Sequence, residues 1–211
     1  MNKISKLLKN RYALSTVVTT LIILVISVLL ASVVTYFAIN VVSTRVQEES
    51  LTITKQHIWH NPDATTAGGA DYSQASLMVV NTGGRDMVVD KLAVRGQECK
   101  WDQTSEETNM KFVLYTITQN AVTQDMLFQD SFDPSGTNVV SLDGTEYTFE
   151  VADNDLVLPS GYTMLIYIIN PDSITINDIG LTVSLTLYTA QAMYYVESNV
   201  QAANVESSGS T

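Results

Sequence analysis

Cysteine, histidine, proline and, over one long stretch, charge of either sign are what this 211-residue chain has little of. With a single cysteine, Cys99, it forms no intramolecular disulfide and builds no Cys-rich zinc or iron–sulfur site. Cys99 itself reads as a small buried apolar residue. Two histidines and one cysteine leave few nucleophiles or bases, and there is no GxSxG, HExxH, CxxC or phosphate-cradling glycine loop. A non-enzyme without a cofactor is expected. His57 and His60, three apart, share a face if helical, but no third ligand accompanies them. Asp153-Asn154-Asp155 groups oxygen ligands without the twelve-residue spacing and closing Glu of a calcium loop, so it reads as a turn and no metal is expected. Asn-x-Ser/Thr sequons are absent, which removes the acceptor for Asn-linked glycans.

Basic residues are scarce and unevenly placed. The net charge is −11, and four of the 11 Lys and Arg (Lys3, Lys6, Lys9 and Arg11) lie in the first 11 residues. Without them seven bases face 22 acids, a balance of −15. Such a surface repels nucleic-acid phosphates and anionic headgroups, so no nucleic-acid partner is expected.

What is abundant is apolar sequence in one place. From Tyr12 to Thr44 there is no Asp, Glu, Lys, Arg or His. A secretory signal has an apolar core of about 7–15 residues followed by a small-residue cleavage site. Here the run from Leu14 to Val42 is 29 residues long and the small residue Ala13 precedes it. As a helix it extends about 43 Å, against a hydrocarbon core of about 30 Å. No Gly or Pro follows until Asn61-Pro62, so the helix is expected to continue to residue 60. At about 100° per residue Thr16, Thr20, Ser27, Ala31, Thr35 and Ala38 fall in one sector, a small-residue stripe on which helices can approach closely.

Lys9-Asn10-Arg11-Tyr12-Ala13 followed by Leu14-Ser15-Thr16-Val17-Val18-Thr19-Thr20-Leu21-Ile22 resembles the class III signal of archaeal type IV pilins and archaellins. In that family a prepilin-type peptidase cuts on the cytoplasmic side, before the apolar helix, which stays on the mature protein. The resemblance implies a cut between Ala13 and Leu14. Tyr12 and Ala13 stand where the family more often has a basic residue and Gly. Val18 stands where bacterial pilins carry Glu, which favours the archaeal branch.

After residue 60 the pattern changes. Residues 61–74 read as a linker loop, and 204–211 as a polar tail. Between them, runs rich in Val, Ile, Leu, Thr and Tyr predict strands near 75–81, 86–95, 111–118, 137–142, 145–151, 162–169, 180–188 and 192–201. Leu181, Val183, Leu185 and Leu187 alternate with Thr182, Ser184 and Thr186, the mark of a sheet with one packed face. Tyr162, Tyr167, Tyr188, Tyr194 and Tyr195 read as core or sheet-face residues. The expected fold is α+β: a long apolar helix (14–60), then an antiparallel immunoglobulin-like β-sandwich head (75–203). Val80-Asn81-Thr82-Gly83-Gly84 and Leu158-Pro159-Ser160-Gly161 also resemble turns of the archaeal pilin head.

The resemblance implies a structural subunit of a cell-surface filament, a homo-oligomer built through the helix, with adhesion as its role. It also implies a prepilin peptidase and an assembly platform with its ATPase as partners, and the cytoplasmic membrane as the precursor's location. Two readings compete: an archaellin of a swimming filament, and an uncut single-pass surface receptor or envelope-anchoring protein.

Overall fold

A computed structural model describes residues 11–46, 49–62, 72–103, 111–130, 132–153, 155–171 and 173–203. The expected signal lies outside these except for Arg11, Tyr12 and Ala13, and the expected polar tail lies wholly outside them. The chain divides into two compact units, Met1–Gln47 and Glu48–Thr211.

The described residues of the first unit form one helix, α1, Arg11–Val46. Val, Ile and Thr dominate it, residues whose branched side chains lower helix propensity in water. In lipid the balance reverses, because every backbone N–H and C=O must be satisfied within the segment. Every described side chain from Ser15 to Thr44 is exposed. That stretch contains an 18-residue window with a mean hydropathy of 2.9 and is long enough to cross a membrane.

The helix does not continue to residue 60. It ends at Val46, and Leu51–Asn61 is a strand, β1, of the second unit, so the sheet domain starts at Leu51 and not at residue 75 as expected. β1 pairs with β2 (Tyr72–Asn81) through nine residue pairs and with β12 (Met193–Ala202) through three. Absence of a breaker permitted a helix. Strand pairing on both edges decided otherwise, as tertiary context commonly does for short segments.

The second unit is a mostly antiparallel β-sheet domain. Its remaining strands are β3 (Met87–Val94), β4 (Gln97–Glu98), β5 (Asp102–Gln103), β6 (Lys111–Thr118), β7 (Asn138–Leu142), β8 (Thr145–Val151), β9 (Leu156–Leu158), β10 (Thr163–Ile169) and β11 (Thr182–Thr189). The order is β4-β3-β11-β12-β1-β2-β10-β6-β8-β7, with β5 on β6 and β9 on β3. Among the described pairs only β1–β12 is parallel. All eight strands predicted from the sequence are present to within three residues at either end.

Two apolar clusters show how the sheet is layered. The first joins Ala75, Leu77 and Val79 of β2 and Met164, Ile166 and Ile168 of β10 to Val89, Leu92 and Val94 of β3 and Val183, Leu185 and Leu187 of β11. The two halves of the strand path therefore share one core, as in a sandwich. The second joins Leu165, Tyr167 and Ile169 of β10 to Phe112 and Leu114 of β6, Val140 and Leu142 of β7, and Tyr147 and Phe149 of β8. Val122, Met126 and Phe132 complete it. β10 is thus buried on both faces, and the β7–β8 hairpin with the segment before it adds a further layer. A near-continuous apolar run such as Met164–Ile169 is what two-sided burial requires.

Candidate functional site

In the first unit the candidate site is α1 itself. The implied cleavage residues Ala13 and Leu14 lie within the described helix. Thr16, Thr20, Ser27, Ala31, Thr35 and Ala38 are all helical and exposed.

The hydroxyls of α1 turn inward on their own helix. Thr20 donates to the Val17 carbonyl at 2.9 Å, Ser27 to Ile23 at 2.7 Å and Thr35 to Ala31 at 2.8 Å. Off the stripe, Thr19 donates to Ser15 at 2.8 Å, Ser32 to Val28 at 2.8 Å and Thr44 to Asn40 at 2.9 Å. A hydroxyl closed on the i−3 or i−4 carbonyl brings no unsatisfied donor into an apolar environment. The helix surface can therefore face hydrocarbon or another helix without a desolvation penalty at these positions.

The second unit places the other residues singled out by sequence. His57 and His60 lie on β1, not on a helix, and strand alternation sends residues three apart to opposite faces. The His57 ring stacks on Trp59 with centroids 5.3 Å apart, and His60 is fully buried. The shared helix face considered for a metal does not exist. Asp153 and Asp155 are described but Asn154 is not. No group of three His, Cys, Asp or Glu suited to a metal occurs among the described residues. Cys99 is buried at the edge of the first core.

Tyr167 is a core residue whose hydroxyl donates to the Leu127 carbonyl at 2.9 Å, and burial pushes its ionisation upward. Tyr188 lies beneath Lys91 Nζ, 5.1 Å from the ring centroid. Tyr195 is exposed and donates to Glu197 Oε1 at 2.5 Å, a bond to an anion that, with burial second, raises its ionisation.

Three polar clamps hold the layers, and residue spacing signals none of them. Buried Gln74 mimics a strand partner for Gln129, accepting its N–H at 3.0 Å and donating to its carbonyl at 3.5 Å. Asp143, in the β7–β8 turn, accepts from Thr123 N–H, Thr123 Oγ1 at 2.7 Å and Gln124 N–H. These bonds, the Thr123 hydroxyl first, hold its carboxyl below the usual range. Lys55 Nζ meets the Thr123 and Gln124 carbonyls and lies 3.7 Å from Asp125. On the other side Arg95 pairs with Asp178 at 2.5 Å, and Asp178 accepts from Thr175 N–H and Oγ1. Arg95 is the main cause of the lowered Asp178 ionisation.

Neither a protein-family model nor a curated protein matches this chain. Among solved structures it is similar to the copper-bound PCuAC domain from PmoF2, at 10% identity and a TM-score of 0.31, covering 74% of this chain and 99% of that one. It is also similar to Spo0M, a sporulation control protein from Bacillus subtilis, at 10% identity and a TM-score of 0.26, covering 72% of this chain and 50% of that one. At TM-scores this low the likenesses define neither the fold nor a function of this chain.

Proposed function

We propose that this chain is a structural subunit of an extracellular archaeal filament of the type IV pilus kind, with an immunoglobulin-like sandwich as its outer head and surface attachment as its role. One observation carries the reading: the 30 residues Ser15–Thr44 form an uncharged, wholly exposed helix. Its class III-like signal lies before the apolar run and not after it. As a precursor the chain sits in the membrane through this helix. A peptidase cut between Ala13 and Leu14 removes Lys3, Lys6, Lys9 and Arg11, which hold the amino terminus on the cytoplasmic side. The helix then exchanges lipid for identical helices.

The energetics suit that exchange. Burying a Val, Leu or Ile from water contributes about 1.5–3 kcal/mol, so a bare helix in water is unfavourable by tens of kcal/mol. Between lipid and a helix bundle the apolar term nearly cancels, and close packing at small residues decides. Thr16, Thr20, Ser27, Ala31, Thr35 and Ala38 supply that close approach. An assembly platform and its ATPase provide the work of extraction.

The test is the amino-terminal peptide of the protein sheared from cells, read by mass spectrometry. A start at Leu14 in a filamentous fraction is the expected result. A chain that keeps Met1 and stays in the membrane fraction overturns the filament reading in favour of a single-pass anchor.

A further inference from the structure

The chain contains one Asp–Pro bond, Asp133–Pro134, and the sheet domain anchors the backbone on both sides of it. Phe132 is buried in the second apolar cluster, its ring 5.0 Å from that of Tyr167, and Asn138, 5% exposed, opens β7. Between these anchors Asp133, Ser135, Gly136 and Thr137 are exposed, so water reaches the bond.

The side chain of Asn138 fixes Asp133 twice. Its Oδ1 accepts the Asp133 N–H at 2.9 Å, and its Nδ2 donates to the Asp133 carbonyl at 2.8 Å. The same carbonyl accepts the Gly136 N–H at 3.3 Å. Asn138 Nδ2 thus stands within the range of about 2.7–3.1 Å at which a donor stabilises an oxyanion. The Asp133 carboxylate is folded back over the bond that follows it. Its Oδ1 accepts the Ser135 N–H at 2.8 Å, closing a ring of atoms that contains the Asp133–Pro134 peptide. A Cβ on Gly136 would lie 2.8 Å from Oδ2 and 3.0 Å from Cγ, so only glycine leaves the carboxylate this place. The Pro134 nitrogen carries no hydrogen and, as a tertiary amide, leaves more readily once protonated than an ordinary peptide nitrogen.

We propose that Asp133–Pro134 is a self-cleavage site at which the Asp133 carboxyl cuts its own peptide bond. The un-ionised carboxyl attacks the Asp133 carbonyl carbon, a C–O bond forms, and the acid proton passes to the Pro134 nitrogen. The C–N bond then breaks, leaving a cyclic anhydride at Asp133 and a free amine at Pro134. Water opens the anhydride to two carboxyls. The attack is intramolecular and pre-positioned, and Asn138 Nδ2 with Gly136 N–H supports the charge that develops on the carbonyl oxygen. The two pieces stay together, because β10 and β11 of the later piece pair with β2, β6 and β3 of the earlier one. The site belongs to the second unit alone and does not depend on the filament reading.

The test follows the full-length chain in non-ionic detergent at about pH 5, where the fold keeps its stability, against the same chain unfolded in guanidinium. Mass spectrometry and denaturing electrophoresis read the products. The expected result is a new amino terminus at Pro134, formed at least about tenfold faster in the folded chain, since one oxyanion donor contributes about 10²–10³ in a preorganised site. Asn138→Ala and Gly136→Ala, each checked for native circular dichroism, should slow the folded chain by at least about tenfold. If Asn138→Ala fails to fold, Gly136→Ala decides, because it displaces the carboxylate from an exposed turn. No terminus at Pro134, or equal rates in the folded, unfolded and variant chains, overturns the proposal and leaves an ordinary Asp–Pro bond.

Discussion

Asp178 and Asp143 show how single carboxylates stabilise the sheet domain. Asp178 is 7% exposed and answers Arg95, Thr175 N–H and the Thr175 hydroxyl. Asp143 sits at φ 52 with Gly144 at φ 74, the positive-φ pair that a two-residue hairpin turn requires. Its carboxylate is thereby aimed at the Thr123–Gln124 backbone. Both groups ionise below the usual carboxylate range. An unfolded carboxyl, near about 3.9, binds protons first as pH falls. The stabilisation is therefore complete above about pH 5 and lost as pH drops through the folded values. The melting temperature of the full-length chain in non-ionic detergent is expected to be flat from pH 7 to 5 and to fall below pH 4. Asp178→Asn should cost about 1.5 kcal/mol at pH 6, at the low end for a bond to a charged group because water screens half-exposed Arg95. It should also flatten the acid limb; an unchanged limb assigns the loss to other carboxyls.

At the scale of elements, β1 and α1 carry the consequences. In β1, Leu51 and Ile53 face the first core, yet so does Ile58, while Trp59 joins the second cluster. Strict alternation puts 51, 53 and 59 on one face. The register shift between Thr54 and His57, with Lys55 at φ 54, reverses the parity midway. Deleting Lys55 removes the extra residue, so the ladder becomes regular with Ile53 and Ile58 still on the first-core face and Trp59 on the other, and the domain should stay folded, read by denaturant unfolding. Inserting a second residue beside Lys55 instead shifts the parity again and should destabilise it by on the order of 4 kcal/mol. In α1 a charge at mid-span, Val28→Asp, should oppose insertion by about 2.5–3.5 kcal/mol. Partition between membrane and soluble fractions measures it, and an unchanged membrane share removes the hydrocarbon as the helix's environment. β1 also shows why the helix end was illegible: its alternation is broken by the bulge, and no Gly or Pro separates it from α1. The Asp143-Gly144 pair and the alternation of β11, by contrast, are local signals, and both elements stand where the sequence puts them.

At the scale of the whole molecule, charge and hydrophobicity are segregated along the chain, with an isoelectric point near 4.4. Four basic residues cluster before the apolar run, and all 22 acids follow it against seven bases. Like-charged heads resist lateral association at neutral pH and cease to do so as their net charge approaches zero. Assembled protein, without the four amino-terminal bases, is therefore expected to bundle as pH falls below about 4.4, seen as a rise in light scattering that reverses on neutralisation and weakens little with added salt. The sequence by itself determined the α+β class, the long apolar helix and eight of the strands. Each rests on composition or on a period within one segment. Only the tertiary structure decided that the helix stops at Val46, that β1 joins β2 and β12, and that β10 is buried between two clusters. Those outcomes depend on partners distant in the chain: Leu51 meets Asn81, Ile58 meets Val200, and the hairpin Asn138–Val151 packs over Leu165, Tyr167 and Ile169. Strand pairing satisfies hydrogen bonds across that separation, and no local pattern encodes it.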